Sequence, residues 1–199
     1  MKRKIVEAGI VLCLTAALVW MGSFLATNTK TPLNESEIYT YADAPDRNYR
    51  AETAGEESIG GWTYPETVQV RDLSNGEIVW SDTSYMDPAF FWSEDGNYLV
   101  IQTSGRKWTK CRVIDTASWQ ELDAPDAMSI CALTEDFPDI YENGITAVRL
   151  KKWLSGDTLL LEVYWDGAPY GDEAVTGTVE YEIDTGNYRE IDLQLESVG

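Results

Sequence analysis

The chain has 199 residues, 12% of them aromatic and eight of them tryptophan, and it carries a formal net charge of −19 with no histidine. That length suits one medium domain plus an anchor, and that charge excludes a surface built to grip phosphate backbones, so nucleic acid is not an expected partner. The lack of histidine removes Ser-His-Asp and Cys-His nucleophilic systems and every histidine-based zinc site, leaving carboxylates, Tyr, Lys and Cys as acids and bases.

Lys2, Arg3 and Lys4 precede Ile5–Ala26, 22 residues in which Glu7 is the single charge. As a helix this segment is long enough to cross a hydrocarbon core of about 30 Å. The basic flank predicts a cytoplasmic N-terminus and an exported remainder. Residues 1–26 read either as a signal anchor or as a cleaved signal peptide. Phe24 stands two positions before a cut at Ala26, a poor fit to small-x-small, which favours the anchor. The expected location is a cell membrane, crossed once by residues 5–26, with secretion as the outcome if cleavage occurs. Without this segment 12 basic and 33 acidic side chains remain. Residues 27–61 are polar and acidic, with Pro32, Pro45 and Gly60-Gly61, and read as a linker in which Ile38–Tyr41 could dock as a short strand.

Residues 62–199 read as an all-β domain of antiparallel meanders. Trp62–Trp80 forms a hairpin turning at Ser74-Asn75-Gly76, since Asn-Gly tolerates the positive φ of a tight turn. Pro88–Trp92, Tyr98–Thr103, Trp108–Ile114 and Trp119–Leu122 form the central unit, punctuated by Asp95-Gly96 and Asp115-Thr116. No run of about ten residues keeps the i, i+3, i+4, i+7 spacing of a helix. Val113 and Ile114 read as buried on both faces, with Arg112 facing solvent. Asp123–Gly144 is a long connection in which Ala127–Thr134 forms a helical turn or an extra strand. Ile145–Trp153, Thr158–Trp165, Thr178–Ile183 and Tyr188–Leu193 complete the last unit. Asp166–Gly177 forms an extended tip with exposed acids.

The units repeat. Trp92-Ser-Glu-Asp-Gly-Asn-Tyr-Leu matches Trp153-Leu-Ser-Gly-Asp-Thr-Leu-Leu, and Asp72, Asp115 and Asp184 hold equivalent turn positions. Asp72 and Asp115 are 43 residues apart, a propeller-blade period, while Asp115 and Asp184 are 69 apart, which predicts an insertion. Trp92-Ser-x-Asp-Gly-x-Tyr-Leu, Val113-Ile-Asp115-Thr and Val70-x-Asp72-x-x-x-Gly76-Glu resemble the blades of β-propellers of the WD-repeat and TolB-like kind. The resemblance runs from about Val68 to Leu193, some two and a half units. A propeller needs four or more blades to close. The expected architecture is therefore an incomplete propeller or an open sheet stack, or a ring closed by oligomerisation. The resemblance implies an interaction scaffold.

The candidate chemistry is sparse. Trp92 and Trp153 share a repeat position and read as packed core. Trp108, Trp119 and Trp165 stand beside polar turns and, with Tyr170, form the candidate recognition surface. Asp166, Asp172 and Glu173 form the candidate Ca²⁺ loop, although no stretch fits Asp-x-Asp-x-Asp-Gly. No other cofactor is expected. Cys111 and Cys131 either pair as a disulfide or stand as two small buried thiols. Carboxylate pairs such as Glu94-Asp95 and Asp172-Glu173 are frequent by chance among 34 acids. The expected function is recognition without catalysis, of a protein, a peptide or a cell-wall polymer outside the cell. The alternatives are a carboxylate-dependent hydrolase acting on carbohydrate, or a self-associating structural subunit with a bare edge near Trp62–Val70 or Tyr188–Leu193.

Overall fold

The structure, a computed structural model, describes residues 29–30, 40–123, 125–133, 144–166 and 173–197. Its fifteen strands are β1 (Thr29–Lys30), β2 (Thr40–Asp43), β3 (Tyr49–Ala54), β4 (Glu57–Ile59), β5 (Trp62–Tyr64), β6 (Thr67–Asp72), β7 (Ile78–Thr83), β8 (Met86–Trp92), β9 (Tyr98–Ser104), β10 (Trp108–Asp115), β11 (Gln120–Leu122), β12 (Ile145–Trp153), β13 (Thr158–Asp166), β14 (Glu173–Glu182) and β15 (Asn187–Ser197). One short helix, α1 (Ala127–Cys131), stands in the long connection. The chain is mostly β, and among the described residues the strands close no barrel.

Three meanders of four strands account for the order. The first is β2-β3-β6-β7, with β1 added beside β2. The second is β8-β9-β10-β11 and the third β12-β13-β14-β15. The second and third join where β10 and β12 run parallel over Trp108↔Thr146 and Thr109↔Ala147. A parallel pair needs a crossover connection, and residues 116–144 supply it.

The first meander corrects the sequence reading. Residues 27–61 are not a linker throughout, because 40–54 supply two of its four strands. Thr40, Ala42, Ala51 and Thr53 alternate inward with period two and are buried. Small and hydroxylated residues do this packing, so the stretch lacks an apolar signature. Trp62 does not begin the hairpin at Asn75-Gly76. It pairs with Ile59 across Gly60-Gly61 in a separate hairpin, β4–β5. Both glycines take positive φ, 63° and 85°, which that turn requires. β6 is paired on both sides, by β3 and β7, so Val68–Val70 is no bare edge. β15 is an edge. Glu190 bulges there at φ 44°, and Asp192 and Glu196 charge it, devices that discourage strand addition.

Taking each meander as a sheet, with the second and third continuous through the β10–β12 pair, two cores lie between the three. Ala42, Ala51, Val68 and Val70 of the first sheet meet Phe90, Leu99, Ile101 and Ile114 of the second. Val100, Cys111 and Val113, on the other face of the second sheet, meet Leu161, Val163, Trp165, Val179 and Tyr181 of the third, with Ile130 and Cys131 of α1. The middle sheet is thus buried on both faces, as Val113 and Ile114 anticipate. Arg112 is not solvent-facing: it lies half-buried over the Trp80 ring and bridges Asp82 and Glu121. The flanking sheets are buried on one face only. The first turns Tyr41, Arg50, Glu52, Gln69 and Arg71 outward, tied by Arg50–Asp43 at 2.6 Å and Arg71–Glu52 at 2.7 Å. The third turns Glu162, Thr176, Thr178 and Asp192 outward.

Pro88 sits inside β8 without breaking the sheet. The ladder to β9 skips from Met86 to Ala89, and Asp87 takes φ 48° to make the skip. Residues 5–26 lie outside the described residues, and among the described residues no helix is long and apolar enough to cross a membrane.

Candidate functional site

The meanders share one orientation, so their turns collect at two ends. The turn end carries residues 44–48, 73–77, 93–97, 116–119, 154–157 and 183–186. Its carboxylates build the turns themselves. Asp72 accepts the N–H of Ser74 at 2.8 Å and its hydroxyl at 2.7 Å. Asp95 accepts the Ser93 hydroxyl at 2.7 Å, and Asp115 accepts the Ala117 N–H at 3.0 Å and the Ser118 hydroxyl at 2.6 Å. Asp157 accepts the hydroxyls of Ser155 and Thr158. The serine donors hold Asp72, Asp95 and Asp157 below the usual carboxylate range. For Asp82 burial pushes upward, and the Thr83 N–H with Arg112 together outweigh it. The Tyr98 hydroxyl donates to Asp184 across the seam between the second and third sheets, and that bond, with burial, pushes the phenol up to about 12. An open depression of about 370 Å³ beside this end is lined by Leu154, Ser155, Thr158, Glu180, Glu182 and Arg189. Arg189 there pairs with Glu182 at 2.7 Å, so its charges answer one another.

The opposite end is built differently. β9 ends at Ser104 and β10 begins at Trp108, joined by Gly105-Arg106-Lys107. The Gly105 N–H bonds the Trp108 carbonyl at 2.8 Å. The indole packs closely against Gly105: a Cβ there would stand 2.3 Å from the ring. Tyr85, in the link between the first two sheets, meets the indole edge-on, centroids 5.0 Å apart at 77°. Lys110 holds its ammonium 5.4 Å from the ring centroid, in cation–π range. Trp108 is therefore half-buried and fixed, a rigid aromatic platform with Tyr85, 47% exposed, beside it. Arg106, Lys107 and Lys110 are exposed, and none of them forms an ion pair among the described residues. By contrast Arg50, Arg71, Arg112 and Arg189 all do. Trp62, 69% exposed on the β4–β5 hairpin, and Ile145, 45% exposed at the start of β12, belong to this same end.

The structure sorts the candidates. Trp108 stands at this end as a surface aromatic. Trp119 lies at the turn end, half-buried with φ 55°, its ring 4.8 Å from that of Tyr49 across the seam between the first two sheets. It is packing, not recognition surface. Trp165 is fully buried in the second core, a correction with a plain cause. Leu159, Leu161, Val163 and Trp165 alternate onto the inward face of β13. Trp92 and Trp153 are partly buried against the two cores, and the Trp92 indole N–H donates to the Ala42 carbonyl at 3.0 Å. Tyr170 and Asp172 lie outside the described residues. Of the Ca²⁺ candidates, Asp166 accepts the Ile145 N–H at 2.8 Å and the Tyr164 hydroxyl at 3.0 Å. Glu173 is the first residue of β14, so the acidic tip ends earlier than expected. Among the described residues no three ligating side chains cluster. Cys111 and Cys131 are two buried thiols, not a disulfide. Cys111 donates to the Val148 carbonyl, and burial pushes the two thiols up to about 12 and about 11.

Tyr85 and the Gly105–Lys107 loop escaped the sequence reading. The signal was there: Arg106-Lys107-Trp108-x-Lys110 places three cations around one tryptophan in a strongly acidic chain.

No family model matches the chain, and no curated protein matches it. Among solved structures it is similar to U3-55K, with a TM-score of 0.38 and 11% identity over 77% of this chain and 38% of that one. It is also similar to TolB from Acinetobacter baumannii, at 0.32 and 14% over 75% and 42%. Hsv2 from Kluyveromyces lactis aligns at 0.30 and 17% over 80% and 47%. The chain spans less than half the length of each. These neighbours include propeller proteins. The strand order and register of the chain itself define its architecture.

Proposed function

We propose that the chain is a recognition module without catalysis, carried outside the cell on a membrane span formed by residues 5–26. Its binding end is the Trp108–Tyr85 platform with Arg106, Lys107 and Lys110, and its partner is a protein or a peptide. The observation that carries this is the fixed indole. Gly105, Tyr85 and Lys110 hold Trp108 in one place while leaving part of its ring at the surface, and a rigid, partly exposed aromatic loses little entropy when a partner covers it.

Two measurements test it. A photoreactive phenylalanine analogue at position 85 of the full chain in its native membrane should trap a partner, and the same group at position 195 on the edge strand should not. Equal trapping at both, or none at 85, overturns the assignment of the binding end. Protease added outside intact cells should digest residues 40–197; full protection overturns the exported placement.

A further inference from the structure

The platform end also says what kind of partner it fits. We infer that it takes an acidic peptide segment carrying an aromatic or large apolar side chain, so that the module binds against the sign of its own net charge. This rests on the recognition reading above and narrows it.

The argument starts from the imbalance of the chain. The chain carries 34 acids against 15 bases, and among the described residues the ion pairs fall on Arg50, Arg71, Arg112 and Arg189. Arg106, Lys107 and Lys110 are among the cations outside those pairs, and they stand apart because they lie within five residues of one another, all exposed. Asp87, exposed on the neighbouring β8, forms no ion pair with them. The result is a cluster of three exposed cations beside Trp108 on a chain of strongly negative net charge.

Each part then has a complement. The carboxylates of the partner meet Arg106, Lys107 and Lys110 in charge-assisted hydrogen bonds. Its aromatic or apolar side chain covers the Trp108 and Tyr85 rings. The acidic remainder of this chain repels the partner elsewhere, which fixes where it lands. A uniform polyanion would use the cations and leave the rings without a complement.

The test is selection of a random twelve-residue peptide library on phage against the full chain, purified in a mild detergent. Selected peptides are then measured by fluorescence anisotropy at two salt concentrations. The expected peptides are rich in Asp and Glu and contain Trp, Tyr, Phe or Leu. Their affinity should weaken with salt, fall about tenfold or more in Trp108→Ala, and fall similarly in a Lys107→Glu, Lys110→Glu double variant. Basic peptides that still lose affinity in Trp108→Ala would overturn the acidic partner and leave the recognition reading standing. Binding of poly-glutamate as tight as that of the selected peptides and untouched by Trp108→Ala would also overturn it, in favour of a polyanion. Recovery of no peptide that depends on Trp108 overturns both. Circular dichroism of each variant separates lost binding from lost fold.

Discussion

The two ends of the sheets handle polar groups in opposite ways. At the turn end nearly every carboxylate has a hydroxyl or N–H of its own turn as partner, and the result is local rigidity. At the other end the cations of the Gly105–Lys107 loop and Lys110 have no carboxylate partner among the described residues, and the aromatics around them are only partly covered. Polar groups satisfied internally stabilise a fold. Polar groups left facing water are available to something else.

That contrast yields an ordered set of expectations. The largest effect belongs to neither surface: Trp165→Ala should cost about 3–5 kcal/mol, as for other fully buried aromatics, while Trp108→Ala should cost about 1 kcal/mol. Urea unfolding followed by circular dichroism measures both, and equal losses would erase the distinction between the buried and the surface tryptophan. Next comes Ser93→Ala at the turn end. The buried Ser93 hydroxyl donates to Asp95 and accepts the Tyr98 N–H at 3.0 Å, so its removal orphans that N–H and should cost about 1–3 kcal/mol.

The pH responses are smaller and opposite in sign. Asp72, Asp95 and Asp157 have folded pKa values below their unfolded ones. Their contribution is intact above about pH 4 and is lost as pH falls through the lower folded values. The urea midpoint should therefore drop as pH falls below about 4. Tyr98 runs the other way. Its folded phenol titrates at about 12 rather than 10, so its contribution is whole below pH 10 and fades as pH rises through about 12. Asp184→Asn should bring that titration down, as read by tyrosinate absorbance. Smallest of all, Lys107→Glu with Lys110→Glu should shift stability by about 0.5 kcal/mol or less while changing binding strongly. A large stability loss there would show that the cations support the fold after all.

The central meander was legible because its turns announce themselves. Asp95-Gly96 and Asp115-Thr116 bracket β-branched and aromatic runs, and β9, β10 and the parallel-flanking β12 fall within a residue or so of the expected spans. Of the first meander only the β6–β7 hairpin, turning at Asn75-Gly76, was legible; β2 and β3 were not, because their inward face is Thr40, Ala42, Ala51 and Thr53 among charged residues. Small side chains suffice there: Phe90, Leu99 and Ile101 of the middle sheet fill the space against them. Trp165 shows a different failure. The Asp-Gly that follows it suggested a surface turn, but its period-two alignment with Leu159, Leu161 and Val163 decides its face. Trp108 and Trp119 look alike in sequence, each directly at the end of a polar turn. Only the long-range partners, Tyr85 for one and Tyr49 for the other, separate a surface platform from a seam.

The bond from the Trp92 indole to the Ala42 carbonyl has a mechanical meaning. Ala42 lies on the short strand that directly follows the N-terminal forty residues, and that strand meets β3 through only three residue pairs. Tension applied from the N-terminal side would peel β1 and then β2 away one pair at a time, not shear them together. The indole fastens that strand to a different sheet, so rupture would have to drag the centre of the molecule along with its first edge.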